Sequence, residues 1–176
     1  MSRIVITVFG SGTAQPNSRL FQLAYETGFR LAKAGFNLAN GGYEGCMLAS
    51  ANGAKEGGAG TIGVTTDDFP DSVKNQFIDR EIRKRTWRER LHELVDVGDG
   101  YLVLDGGTGT LTELAVIWEM RNKNFHHKPI AVLGRYMQAF VKASRKNPEV
   151  RIPEDMHFAS KPEHAARYLA GRLIHA

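Results

Sequence analysis

Residues 102–120 read LVLDGGTGTLTELAVIWEM. An apolar run of strand length meets a glycine–threonine cluster, and a helical pattern follows at once. Strand, glycine turn and helix in that order are the repeating unit of an α/β fold. The same order recurs on both sides. RIVITVFGSG (3–12) reads as a buried strand ending in a glycine turn. Asn17 is the expected N-cap of a helix carrying Leu20, Leu23, Ala24 and Leu31 at helical spacing, with Gly35 as its stop. FNLAN is a second strand ending at Gly41-Gly42, and a helix over about 45–55 stops at Gly57-Gly58. GTIGVTT is a third strand, and 67–80 is polar and irregular. A helix from about Thr86 to Val95 leads into GYLVLDGG, the fourth strand. KPIAVLG is a fifth strand, followed by a helix near 135–145, a short extended piece near 156–159 and a last helix from about Pro162. Strands alternating with helices predict an α/β fold with a mainly parallel sheet covered by helices on both faces.

The chain has 176 residues, which suits one domain over 1–176. Many of its 19 glycines sit where a strand should end, so they mark tight turns. No apolar run approaches the ~18 residues needed to span a bilayer, so no membrane role is expected. The N-terminal run lacks a small-residue cleavage site and reads as a first strand, not a signal peptide. A single cysteine, Cys46, excludes an internal disulfide and a multi-thiolate metal site, and fits a reducing cytoplasm. At the start of a helix Cys46 is read as packing, not as a nucleophile. The six histidines form no cluster, so no metal is expected, and His126-His127 reads as surface. No lysine stands in a glycine-rich context that would hold pyridoxal phosphate, and no cofactor is expected. The net charge of +4 is compatible with an anionic ligand and too small to argue for nucleic acid.

In such folds ligands bind at the carboxyl ends of the strands. Three glycine clusters fall there: Gly10-Ser11-Gly12, Gly41-Gly42 and Gly106-Gly107-Thr108-Gly109. Turn chemistry alone predicts some glycine at these points. Three clusters together favour a ligand whose polar groups approach the backbone closely. Between strand and helix, Gly106 to Thr110 would present free N–H groups and the positive end of a helix dipole, a geometry suited to phosphate. No Lys-Ser or Lys-Thr follows, so this is not a P-loop; nor is it the dinucleotide G-x-G-x-x-G. A mononucleotide or sugar phosphate fits better.

Glu113 has two readings. Thr110-Leu111-Thr112-Glu113 fits a capping box, with the acid at N3 of the helix. Alternatively it carries chemistry. Leu111, Leu114, Ala115 and Trp118 form one apolar stripe, and Glu113, Val116, Ile117 and Met120 the opposite face. A helix apolar on both faces is covered on both, and a second subunit is a natural cover. Glu113 would then lie at the edge of a covered surface beside an anion site. Burial would raise its pKa and a nearby cation would lower it.

Upstream, DREIRKRTWRERLHEL holds Arg80, Arg83, Lys84, Arg85, Arg88 and Arg90. A solvated basic face is the plain reading, with Glu89 and Glu93 repelling one another. Nucleic-acid binding lacks interleaved aromatics beyond Trp87. In a third reading an arginine serves a site. Trp87, Leu91, Leu94 and Val95 make a buried stripe flanked by Arg88 and Arg90, and the pattern does not choose between those two.

LDGGTGTLTE resembles the P-G-G-x-G-T-x-x-E signature of the LOG (Lonely Guy) family, once labelled lysine decarboxylases. NGGYEGCM resembles the family's earlier G-G-G-x-x-G-x-M segment, and Arg90 corresponds to the arginine upstream of the signature. The likeness runs over roughly residues 3–135. It implies a Rossmann-like, doubly wound fold and a homodimer or higher oligomer with the site near the subunit interface. It implies phosphoribohydrolase activity, in which a nucleoside 5′-monophosphate (AMP or an N6-modified, cytokinin-type AMP) gives free base and ribose 5-phosphate. By the same resemblance Arg90 and Glu113 are the catalytic pair. Gly106, Gly107, Gly109 and Thr110 hold the phosphate. Apart from the resemblance, Thr108 and the first-turn residues Gly10 and Ser11 are expected in the nucleotide- and phosphate-binding site. Gly42, Gly45 and Met47 border the nucleotide.

Three positions depart from the pattern. Asp105 replaces proline, and a carboxylate beside a phosphate cradle is unfavourable unless it points away or is paired. Tyr43 replaces a glycine and either fills part of the base pocket or points to solvent. Leu91 stands where a lysine often follows the arginine. Two rivals remain: a non-catalytic protein binding a nucleotide or a molybdopterin-type cofactor, and a single-stranded DNA-binding module.

Overall fold

A computed structural model describes residues 4–174 of the chain. Its strands are β1 (Val5–Phe9), β2 (Asn37–Asn40), β3 (Thr61–Thr66), β4 (Arg80–Lys84), β5 (Gly100–Val103), β6 (Ile130–Val132) and β7 (His157–Phe158). Its helices are α1 (Arg19–Lys33), α2 (Cys46–Glu56), α3 (Trp87–Asp96), α4 (Thr108–Asn122), α5 (Arg135–Ser144) and α6 (Pro162–Leu173). All strand pairings are parallel, in the order β4-β3-β2-β1-β5-β6-β7. This is a doubly wound Rossmann-like sheet with β4 added at one edge. Arg3, at the front of the expected first strand, lies outside the described residues.

Alternation along the strands divides the core in two. Ile6, Val8, Leu38, Leu102 and Leu104 point to one face, where they pack with Ala24 and Leu31 of α1, Ala49 of α2 and Leu169 of α6. Phe9, Val64, Tyr101 and Val103 point to the other, with Leu94 of α3, Leu114 and Trp118 of α4 and Met137 of α5. The strand order reverses between β1 and β5, so the loops after these strands open a crevice at the carboxyl edge. Ser11 N donates to Asp105 O at 3.0 Å and ties the two loops together.

The structure corrects several local expectations. Ser18, not Asn17, caps α1, its Oγ accepting from Phe21 N at 3.2 Å. Residues 80–84 form a strand where the sequence reads as irregular up to 80 and suggests no element before the helix at 86. Arg80, Glu81 and Arg83 of β4 are exposed, so this edge strand carries no apolar alternation and is held by its ladder to β3. Trp87 is 42% exposed and leaves the stripe of Leu91, Leu94 and Val95. On α4 the buried residues are Thr110, Leu114, Ile117 and Trp118, whereas Ala115 is exposed. Ile117 therefore faces the core, and the second apolar face consists of Leu111, Ala115, Val116 and Met120 around a shallow hollow. His126 is buried, its Nε2 3.0 Å from Ile117 O, because Asn124 turns the chain back at a φ of 59°. Glu89 and Glu93 do not frustrate one another: Glu89 belongs to a capping box with Thr86, and Glu93 pairs with Lys84 at 2.9 Å. Among the described residues no helix is long and apolar enough to cross a membrane, and no group of three or more His, Cys, Asp or Glu could hold a metal ion.

Candidate active site

The crevice between β1 and β5 is a cleft of about 330 Å³, within the ~300–1,000 Å³ range of small-molecule sites. Its walls come from the turn after β1 (Gly10 to Thr13), from Tyr43 and Met47, from Phe69, from Trp87, Arg90 and Leu91 of α3, and from Gly107 to Thr110 and Glu113 of α4. A larger hollow between β7 and α6, about 560 Å³, has histidines and arginines but no carboxylate on its wall.

Arg90 and Arg88 were equivalent in the helical pattern; packing separates them. Arg88 is exposed, whereas Arg90 is only 7% exposed. Its Nε donates to Val64 O at 2.8 Å and its Nη2 to Gly41 O at 3.1 Å. The carboxyl ends of β2 and β3 thus fix the guanidinium. Its Cζ also lies 5.4 Å from the Tyr43 ring centroid and 5.7 Å from that of Phe69. Among the described residues Nη1 donates no hydrogen bond, so the fixed cation keeps one nitrogen for a ligand. Burial lowers the Arg90 pKa from its ordinary value, and the Glu113 charge opposes that shift.

Glu113 is not a cap. α4 begins at Thr108 with Gly107 as N-cap, which places Glu113 in the second turn, beyond reach of the N-cap N–H. The capping box forms instead at Thr86–Glu89, where Thr86 Oγ1 accepts from Glu89 N and Glu89 Oε2 from Thr86 N, both at 3.2 Å. Among the described residues Glu113 makes no hydrogen bond and no ion pair within 4 Å. Burial pushes its pKa up to about 7, with the Arg90 charge pulling the other way. A half-buried carboxylate without a partner is expensive to maintain, and such groups concentrate at functional sites.

Because Gly107 has no side-chain oxygen, the first turn of α4 is uncapped. Gly107, Thr108 and Gly109 are exposed at the cleft floor, so the opening N–H groups and the helix dipole point at whatever enters. The loop is held from behind. A Cβ on Gly106 would fall 2.2 Å from Thr110 Oγ1, and one on Gly45, whose φ is +64°, would fall 2.4 Å from Ser11 O.

Most of the expected site residues meet in this cleft: Arg90, Glu113, Gly10, Ser11, Met47, Gly107, Thr108, Gly109 and Thr110. Gly42, Gly45 and Gly106 do not line it; they shape the backbone behind it. Asp105 points away, as the electrostatics require. Its carboxylate accepts from Arg135 N, Tyr136 N and Met137 N at 2.9–3.2 Å and caps α5, whose N-cap Gly134 has no side chain. Tyr43 does not point to solvent. Its hydroxyl donates to Thr66 O at 3.3 Å and accepts from Thr66 N at 2.8 Å, which fixes the ring in the wall. Cys46 is buried and its thiol is pushed up to about 11, in keeping with packing. Three contributors were not legible as such: Gly41, whose carbonyl holds Arg90; Val64, for the same reason; and Phe69, a lone aromatic in a polar stretch. The polar composition around Phe69 was the only available signal.

Similar proteins share the frame. The chain is 33% identical over 119 residues to the cytokinin riboside 5′-monophosphate phosphoribohydrolase of Mycobacterium tuberculosis, covering 66% of this chain and 64% of that protein's length. Its fold matches the molybdenum cofactor binding protein of Rippkaea orientalis with a TM-score of 0.79 at 24% identity, over 98% of this chain and 99% of the other. It also matches the molybdenum cofactor carrier protein of Chlamydomonas reinhardtii with a TM-score of 0.77 at 23% identity, over 99% and 100%. At such identities the two structures speak for the fold alone. Residues 3–164 match the model of the SLOG cluster4 family, and the chain belongs to that family, LOG-type as the glycine–threonine signature implied.

Proposed function

We propose that the protein hydrolyses the N-glycosidic bond of a nucleoside 5′-monophosphate, AMP or an N6-modified AMP, to free base and ribose 5-phosphate. The observation that carries this reading is Glu113, an unpartnered, half-buried carboxylate one helical turn above an uncapped helix N-terminus and sharing a cleft with a fixed Arg90. The α4 N-terminus takes the 5′-phosphate, and its binding energy positions the ribose. As the C1′–N bond breaks, its electron pair leaves with the base and positive charge develops on the sugar. The Glu113 carboxylate stabilises that charge and takes a proton from the water that attacks C1′. The departing base gains a proton in exchange. Arg90 anchors the nucleotide and favours the ionised form of Glu113. Tight binding alone has no use for an unpaired carboxylate near a phosphate site, which counts against a pure carrier. The half-exposed strip Leu111, Val116 and Met120 on α4, beside exposed Ala115, supports pairing with a second copy of the chain.

The test is release of free base from AMP, other nucleoside monophosphates and N6-isopentenyl-AMP by purified protein. Release that vanishes in Glu113→Gln is the expected result. Tight nucleotide binding by the wild type with no base released would replace this reading with a carrier.

A further inference from the structure

Phe69 and Trp87 are large aromatic side chains that the fold leaves 38% and 42% exposed, and both line the cleft. The backbone that carries each is tied in place. Asp68, beside Phe69, accepts from Trp87 N at 2.6 Å, so the loop after β3 is tied to the start of α3. Asp67 pairs with Arg83 at 2.6 Å, and farther along the loop Asn75 Nδ2 donates to Tyr43 O at 2.7 Å. The Phe69 ring meets Tyr43 edge-on, with centroids 6.0 Å apart at 62°, on the side of the cleft where Arg90 sits. Among the described residues Trp87 Nε1 has no acceptor, whereas the other indole, Trp118, donates to Arg151 O at 2.7 Å. An immobilised aromatic wall with open ring surface and an open N–H is suited to a flat, hydrogen-bonding ring.

We propose that Phe69 and Trp87 form the subsite for the leaving base, holding its heteroaromatic ring by stacking and thereby setting which nucleotides the site accepts. This rests on the nucleotide reading of the cleft. The phosphate at the α4 N-terminus and the base against α3 and the β3–β4 loop place the ribose between them, beside Glu113. Specificity is thus divided: backbone N–H groups select the phosphate, and side chains from a different part of the chain select the base.

Steady-state kinetics and tryptophan fluorescence on the full chain test the subsite. Stacking on one aromatic side chain is worth enough to raise KM for AMP about 5- to 100-fold in Trp87→Ala or Phe69→Ala. The inhibition constant of ribose 5-phosphate, which has no base, should not move, and Trp87→Phe should recover most of the loss. AMP should quench wild-type emission, ribose 5-phosphate should not, and the quench should disappear in Trp87→Phe. Thermal melts establish that each variant is folded. Hydrolysis of AMP with unchanged KM in both alanine variants and no quench overturns the subsite and leaves the hydrolase reading intact. A Trp87-dependent quench by AMP and by N6-isopentenyl-AMP without release of base from either does the reverse. If neither AMP nor N6-isopentenyl-AMP quenches or reacts, both readings are removed.

Discussion

Gly41 and Arg90 depend on each other's shape. Arg90 Nη2 donates to Gly41 O at 3.1 Å, and a Cβ on Gly41 would stand 1.9 Å from that same nitrogen. The guanidinium reaches the cleft through space that only glycine leaves free. Gly41→Ala should therefore displace Arg90 while the backbone, whose φ there is ordinary, keeps its fold. The expected result is a loss of base-releasing activity of about 100-fold, the scale of a misplaced catalytic group, with a far-ultraviolet spectrum like the wild type. Arg88→Ala, on the exposed side of α3, should leave the rate as it is. Equal losses in both variants would mean that the helix, not the Arg90 contact, matters.

The rate should depend on pH through Glu113. With its carboxyl pushed up to about 7, the ionised form that assists water is a minority at pH 6 and dominant at pH 8. kcat/KM should rise about tenfold per unit below pH 7 and level off above it. A limb near 6 that shifts with the substrate's phosphate instead belongs to the nucleotide, whose second phosphate ionisation lies at about 6.

The same shift has the opposite sign for stability. The folded protein holds the Glu113 proton more tightly than the unfolded chain does, since the pKa moves from an ordinary 4.5 to about 7. The resulting stabilisation is fully present below pH 4.5 and is lost as pH rises through 7. Glu113→Gln should thus melt higher than the wild type at pH 8, by about 6–12 °C for a destabilisation on the order of 3 kcal/mol. The two should converge near pH 4. A variant that melts lower at pH 8 would point back to a structural role for the acid.

Asp105→Ala should cost stability by removing an acceptor shared by three N–H groups of α5. Loss of a helix cap costs about 1–2 kcal/mol, which is about 2–8 °C in melting temperature for a chain of this size. If the variant instead keeps its melting temperature and binds nucleotide more tightly, the carboxylate was acting on the phosphate and not on α5.

How much of this was legible in the sequence follows from the range of the forces involved. The repeated order of apolar run, glycine turn and helical pattern determined a mainly parallel sheet covered by helices on both faces, because strand and helix periodicity and the turn preferences of glycine are local properties. The signature from Gly106 to Glu113 likewise located one half of the site. Other features were decided only by tertiary contacts. β4 exists because β3 offers it a ladder, although its own residues alternate nothing apolar. α4 starts at Thr108 because Gly107 ends the preceding loop, so the four residues that spell a capping box do not form one. Arg90 and not Arg88 enters the cleft because two carbonyls, one on β3 and one just after β2, 26 and 49 positions away, are waiting for it. Asp105, an apparent liability beside an anion site, is turned outward by three amides of a helix that begins 30 residues later. The β4 ladder and the Arg90 and Asp105 contacts are hydrogen bonds between groups far apart in the chain, and no local pattern records which distant partner the fold will supply.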